Sequence, residues 1–382
     1  MIKHYYLNNP EKYGEYPLNI KPIINKEISK ISINKDKYIE LLKCKEKIDK
    51  YTEQWDRNKK KKNQYELIYV SNRNKYYNIA NYLPISRSYF KLWEILYDIG
   101  YKSDSPIKTC HIAEGPGGFI ESTINYCRKN GISISNIDAI TLKEDNKDVP
   151  NWNIEHSMIK DNNINIHYGK DGTGNIYNIQ NILDLIIKVG KNSVDIITAD
   201  GGFDYSIDYN KQEQLSYRLF LCELTIAVSL QKPGGLYVFK IFDISTDFTI
   251  QIIYILYKSY NSVTIVKPYS SRSANSEKYV VCRDFIGISN ANLNTLYNVI
   301  NNWNMNDNIS LINMDTIDKS FLMKISKYNS IYIKYQMNNI NNTLKPLTRD
   351  DYKLQVDSGY KWCKDYNMEI NTKNKYTKIL NT

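Results

Sequence analysis

"HIAEGPGGF", residues 111–119, sets three glycines and a proline directly behind the short apolar run "IKTCHIA" (107–113), in a chain of 382 residues with only 16 glycines. Glycine after a strand lets the backbone turn tightly and come close to a ligand. A helix that starts there turns its first N–H groups toward that ligand. The stretch therefore reads as strand, ligand-facing turn and helix. A dinucleotide cofactor needs G-x-G-x-x-G and an acidic residue ending the second strand. Gly115, Gly117 and Gly118 lack that spacing, and the second strand ends "TLKED". The compact "EGPGGF" turn suits S-adenosylmethionine (SAM), whose amino-acid tail needs a short loop. An ordinary glycine-containing turn is the bland alternative.

Around this turn, β-rich runs alternate with helical stretches. The strand candidates are 107–113, 137–142, 164–168, 194–200, 235–242, 262–268 and 278–287. The helix candidates are 86–99, 117–129, 176–189, 211–231 and 246–259. Such alternation predicts an α/β fold, a mostly parallel, doubly wound sheet covered on both faces. Only "YSSRSANSE" separates the last two strands. That is too short for a parallel crossover, so the pair should be antiparallel. Residues 1–75 are polar and lysine-rich, with helical spacing of Tyr38, Leu41, Leu42, Ile48 and Tyr51, and read as an N-terminal helical arm. The main domain is expected over 76–290, and a mostly helical extension over 291–382.

Composition narrows the classes. No apolar run approaches the roughly 20 residues of a membrane span, and "MIKHYYLNNPEKYGEYPLNI" lacks a secretory signal. A soluble, intracellular, cytoplasmic protein is expected. The six cysteines form no C-x-x-C pair and several lie in apolar segments. They read as small hydrophobes in a reducing compartment. The four histidines are scattered, so no zinc site is expected. A net charge of +10 points weakly to a polyanionic partner. "RNKKKK" (57–62), taken alone, reads as a solvated loop. The abundance of Ile, Asn, Lys and Tyr follows A/T-rich codons. It suits a large DNA virus, where a virion location would also be open, or an A/T-rich eukaryote.

Four further residues carry chemistry. "TADGG" puts Asp200 at the C-terminal end of a strand, where open α/β sheets hold their ligands. "YVFKIFD" puts Lys240 inside an apolar strand, where burial favours the neutral amine unless a charged partner is near. "SRSANSEKYVV" starts the last strand with Glu277, and "SRSYFKLWEIL" puts Lys91 on the helix before the first. Singly, Lys91 and Glu277 read as surface charges and Asp200 as a turn residue.

Together these segments resemble the FtsJ-like family of SAM-dependent RNA 2′-O-ribose methyltransferases, over roughly residues 65 to 290. "YELIY…SRSYFKLWEI", "AEGPGGFIES", "AITLKED", "YGKDGTGNIYN", "DIITADGGFD", "GGLYVFKIF" and "SRSANSEKYVV" follow in the family's order, several in the form of its cap-methylating branch. The resemblance implies a class I methyltransferase (Rossmann-like) sheet of seven strands with an antiparallel last strand. It places the family's Lys-Asp-Lys-Glu tetrad on Lys91, Asp200, Lys240 and Glu277. It implies SAM at Glu114, Gly115, Pro116, Gly117, Gly118 and Asp200, with Leu142 and Asp171 near its ribose and adenine. His111 departs from the pattern, because many members have aspartate there.

Methyl transfer to a ribose hydroxyl is an in-line displacement that needs alignment and a base, and no metal. Lys240 is expected as that base, its pKa lowered by burial, Lys91 and the sulfonium. Asp200 and Glu277 would oppose that shift and orient the groups. RNA, expected as the capped mRNA 5′ end, should cross the C-terminal sheet edge. Arg87, Lys143, Arg272 and the 57–62 run are its expected contacts. Capping or transcription machinery is a further expected partner. The expected reaction is 2′-O-methylation of the first transcribed nucleotide of capped mRNA. Methylation of ribosomal or other RNA, and a non-catalytic RNA-binding subunit with this fold, are the alternatives.

Overall fold

All seven strands suggested by the alternation form, and an eighth joins them. The computed structural model describes residues 3–7, 18–25, 29–70, 74–144, 151–152, 156–202, 209–304 and 308–377. Its strands are β1 (His4–Tyr6), β2 (Ile23–Asn25), β3 (Ile107–Ile112), β4 (Ile134–Ile140), β5 (Asn165–His167), β6 (Val194–Ala199), β7 (Gln231–Ile241), β8 (Tyr260–Val266), β9 (Lys278–Phe285) and β10 (Asn308–Ser310). The helices before β6 are α1 (Lys35–Lys50), α2 (Thr52–Asn58), α3 (Ser88–Ile99), α4 (Gly118–Lys129), α5 (Ser157–Asp161) and α6 (Ile179–Val189). After β6 come α7 (Gln212–Leu215), α8 (Tyr217–Leu230), α9 (Asp247–Ser259), α10 (Asn290–Asn301), α11 (Lys319–Thr343) and α12 (Arg349–Asp365).

The main sheet runs β1-β8-β9-β7-β6-β3-β4-β5. β5, β4, β3, β6 and β7 are parallel. β9 is antiparallel to both β7 and β8, as the short "YSSRSANSE" link requires. The expected count of seven is corrected by β1, which pairs antiparallel with the edge strand β8, His4 opposite Val266. Three residues are too few to show a period. β2 and β10 form a separate antiparallel pair. The expected helical arm 1–75 thus holds α1 and α2 together with two short strands.

The strand order reverses between β3 and β6, which opens a crevice at their C-terminal ends. β3 is covered on both faces, with Cys110 and Ile112 on one and Thr109 and His111 on the other all at 0% exposure. Its buried polar side chains Thr109 and His111 alternate with Cys110 and Ile112 along the strand. On α6, Ile179, Ile182, Leu185, Ile186 and Val189 are buried at helical spacing; each such side chain stabilises by roughly 1.5–3 kcal/mol. α3 stops at Gly100, whose φ of 58° is the left-handed cap that glycine adopts without strain.

The terminal segments pack on this frame. Tyr38, Leu41 and Cys44 of α1 cluster with Ile333 and Ile340 of α11. Glu94 of α3, fully buried, gathers both ends of the chain. It receives Lys3 Nζ at 2.7 Å, Trp362 Nε1 at 2.9 Å and the backbone amides of Tyr269 and Ser270. All six cysteines are buried and unbridged. Among the described residues, no helix is long and apolar enough to cross a membrane.

Candidate active site

The glycine turn leaves β3 through Ala113, in the left-handed region at φ 53°, and a cis Gly115–Pro116 peptide. Gly117 has φ 116°, a conformation strained for any residue with a Cβ. Gly115 N–H donates to Thr141 Oγ1 at 3.2 Å, which ties the turn to the end of β4. α4 begins at Gly118, but its Phe119 N–H does not point outward. It donates to Glu114 Oε1 at 2.5 Å, so an internal carboxyl takes the amide expected to face a ligand. His111 turns into the sheet, with Nδ1 2.8 Å from Thr198 Oγ1 and Nε2 3.1 Å from Thr109 Oγ1. Burial lowers its pKa to about 3, so the ring is neutral.

Asp200 directly follows β6, and Lys240 lies in β7 beside it. Lys240 Nζ donates to the Asp200 carbonyl at 2.7 Å and stands 3.3 Å from its Oδ1. The same Oδ1 accepts the Tyr279 hydroxyl at 2.9 Å. Strand register makes Tyr279 the cross-strand partner of Lys240. A Cβ on Gly202 would stand 3.1 Å from Lys240 Nζ, so glycine there leaves the amine room.

Glu277 Oε2 accepts Lys91 Nζ at 2.7 Å, and its Oε1 accepts Ser271 Oγ at 2.7 Å. Lys267, buried at the end of β8, donates to the Glu277 carbonyl at 2.6 Å and holds the turn. Burial would raise the Glu277 carboxyl, but Lys91, Lys240 and Lys267 hold it far below the usual range. The fold thus brings Lys91, Asp200, Lys240 and Glu277 into one electrostatic cluster. Burial pulls Lys240 down, yet Asp200, Glu277 and Glu223 outweigh it and raise the amine above its ordinary value. The lowered base expected from sequence is therefore a charged ammonium in this state. Three acidic side chains surround it, and sequence could not weigh them against burial.

The other expected residues divide. Leu142 and Lys143 follow β4; Lys143 is exposed, with Nζ 5.3 Å from the Tyr168 ring centroid. Asp171 organises its own loop. Its carboxylate accepts Thr173 N–H and Oγ1 and the Asn178 and Asn181 amides, and these bonds hold its pKa low. Arg87 faces inward, donating to the Tyr69 carbonyl at 2.6 Å and the Ser270 carbonyl at 3.3 Å, with Glu66 at 3.5 Å. Arg272 forms a fork on Glu66 at 3.2 and 3.0 Å and remains partly exposed.

Beside Glu277 a cavity of about 530 Å³ opens between α1, α2, the 272–277 turn and α11. Lys45, Asp49, Trp55, Lys59, Lys62 and Arg272 line it. Part of the basic run that reads as a solvated loop thus forms a cavity wall. Lys62 is anchored there by Asp351 at 2.5 Å. Sequence reasoning missed Trp55, Tyr279 and Lys267. The visible signal for Trp55 is its position one helical turn before Lys59.

A doubly wound, Rossmann-like sheet carries the lysine–aspartate–lysine–glutamate cluster at the C-terminal ends of β6 and β7, the edge at which such sheets bind their ligands. Residues 84–285, just over half the chain, match the FtsJ-like methyltransferase family, and the chain belongs to it. Among curated relatives, a cap-specific mRNA (nucleoside-2′-O-)-methyltransferase 1 from Dictyostelium discoideum is 32% identical, over 58% of this chain and 31% of its own length. The protein of that name from Trypanosoma brucei brucei is 32% identical, over 51% of this chain and 52% of its own. The chain therefore spans about a third and a half of the length of these two relatives. A solved ribosomal RNA methyltransferase from Plasmodium falciparum gives a TM-score of 0.38 at 21% identity, over 53% of this chain and 99% of that one. That likeness is too loose to bear on fold or substrate.

Proposed function

We propose that this chain transfers the methyl group of SAM to the ribose 2′-hydroxyl of RNA, at the first transcribed nucleotide of capped mRNA. The observation that carries the reading is the Lys91–Asp200–Lys240–Glu277 cluster opening, at Glu277, onto the basic, tryptophan-bearing cavity. The names of the relatives support the capped substrate.

Bound SAM supplies a methyl group activated on a sulfonium. The residues suited to its tail are those of the 114–118 turn, where Glu114 Oε2 is buried without a hydrogen-bond partner among the described residues. Leu142 and the Asp171 loop border the same crevice. Asp200 holds Lys240 against the reacting hydroxyl, and Lys91 and Glu277 fix the ribose from the other side. Once neutral, Lys240 would take the 2′-hydroxyl proton as the oxygen bonds to the methyl carbon and the carbon–sulfur bond breaks, leaving S-adenosylhomocysteine. A second positive charge in the crevice lowers the Lys240 pKa and favours that proton transfer. In the cavity, Trp55 offers a stacking face for the cap base. Asp49 can accept the N–H donors of a guanine edge, and Lys59, Lys62 and Arg272 can meet phosphates.

The test is methyl transfer from labelled SAM to one RNA sequence with and without an N7-methylguanosine cap, followed by nuclease mapping. Label on the first ribose of the capped RNA alone is expected. Equal label on both RNAs would move the substrate to another RNA, and no label on either would refute the activity.

A further inference from the structure

A second groove, of about 310 Å³, lies outside the cavity, between the turn after α2 and the start of α12. Val70, Tyr77, Leu347 and Tyr352 line it, and all four are exposed, at 42%, 41%, 38% and 40%. Apolar side chains exposed singly need no explanation, but several that converge mark a contact surface.

The charges of the groove are uneven. Its acids are matched: Glu66 by the Arg272 fork, and Asp351 by Lys62 and the Thr348 hydroxyl. Its cations are not. Lys60 and Lys61 are exposed, and no acid among the described residues pairs with either. Lys375 Nζ stands 4.7 Å from the Tyr77 ring centroid and 5.2 Å from that of Tyr376, so an ammonium sits beside the aromatic wall. The unmatched charge is positive, and the complementary occupant is an anion that carries flat apolar groups.

The groove adjoins the cavity. Lys59 and Lys62 line the cavity and Lys60 and Lys61 the groove, so one turn of chain divides its four ammonium groups between the two. The Arg272–Glu66 fork stands between them, with Arg272 on the cavity side and Glu66 on the groove side. A nucleic-acid strand engaged at the cavity therefore meets cations along the turn that separates it from the tyrosines. Resting on the capped-RNA reading above, we propose that this groove is a second RNA site. Bases of the transcript beyond the methylated nucleotide stack on Tyr77 and Tyr352, and their phosphates meet Lys60, Lys61 and Lys375. Stacking on a ring tolerates any base, and phosphate contacts carry no sequence information. The site thus strengthens the hold on RNA without choosing its sequence, which suits substrates that share only a capped end.

The experiment compares methyl transfer to a capped dinucleotide and to a capped RNA of about 20 nucleotides, longer than ordinary single-strand sites. The wild-type KM for the long RNA should be at least roughly fivefold below that for the dinucleotide. Tyr77→Ser/Tyr352→Ser should remove most of that advantage and leave dinucleotide kinetics within about twofold. Lys60→Ser/Lys61→Ser should make the salt slope of the long-RNA Kd shallower by about one. Equal wild-type KM for the two substrates would overturn the inference while transfer to the dinucleotide keeps the RNA reading. So would a length advantage that survives the tyrosine variant, or an unchanged salt slope, either of which would fit a protein segment in the groove. No transfer to either substrate by the wild type would remove the RNA reading and the inference together. The exposed lysine pair decides the matter even where the tyrosine variant does not fold.

Discussion

Lys91 Nζ and Glu277 Oε2 meet at 2.7 Å across 186 residues of chain, both largely buried. Removing one partner strands the other charge, so Lys91→Met or Glu277→Met should each destabilise the fold by about 3 kcal/mol. The double variant should recover part of that stability, because Lys91 no longer lacks a partner while Lys240 and Lys267 still lose Glu277. It should not recover methyl transfer. Thermal unfolding and a transfer assay on all three variants check this. A double variant that regained activity would make the pair purely structural.

Lys240 is held as an ammonium by the acidic groups around it, whereas the proposed role as base requires the neutral amine. Below the raised pKa the neutral fraction grows tenfold per pH unit. The kcat/KM profile for the methyl donor, which reports groups of the free enzyme, should climb with a slope near one from neutral pH into the alkaline range. A plateau already reached at neutral pH would contradict the assignment. Lys240→Ala should lower transfer by about 10²–10⁴-fold, with donor binding changed only a few-fold.

Trp55 lines the cavity beside Glu277. Stacking on an aromatic ring contributes about 1–3 kcal/mol per base. Trp55→Ala should therefore raise KM for capped RNA by roughly five- to hundredfold and barely change turnover of uncapped RNA. Steady-state kinetics on the two substrates decide it. Equal losses on both would place the stacking base elsewhere.

Arg87 was expected at a phosphate, but its guanidinium ties Tyr69, Ser270 and Glu66 together beneath the surface. Arg87→Ala should lower stability by about 3 kcal/mol, since Glu66 loses one of its cations. The salt dependence of RNA binding should keep its slope. A slope smaller by about one would return Arg87 to the RNA interface.

Much of this site was legible because its signals are local. The glycine turn, Asp200 after its strand and Lys240 within an apolar run each occupy a few adjacent residues. The antiparallel β8–β9 pair followed from the length of one loop. What was not legible depends on pairing and distance. Tyr279 reaches Asp200 only because register sets it opposite Lys240. The cavity is assembled from α1, α2, the 272–277 turn and α11, and no short window of sequence contains it. The Lys240 ionisation depended on a balance of burial against three acidic side chains. Glu223, one of them, lies inside a helix that reads as wholly apolar packing. His111 was visible as a departure, but its turn toward Thr198 requires β3 and β6 to be neighbours.

Glu94, one helical turn beyond Lys91, holds Lys3 from the start of the chain and Trp362, which follows it by 268 residues. The helix that carries Lys91 therefore lacks one donor to its buried acid, Trp362, until α12 is in place. Every strand of the main sheet precedes α12 in the chain, so the packing around α3 is completed by a segment that follows the whole sheet. A chain cut before α12 would hold every strand of the main sheet and still leave Glu94, one turn from Lys91, without its indole partner.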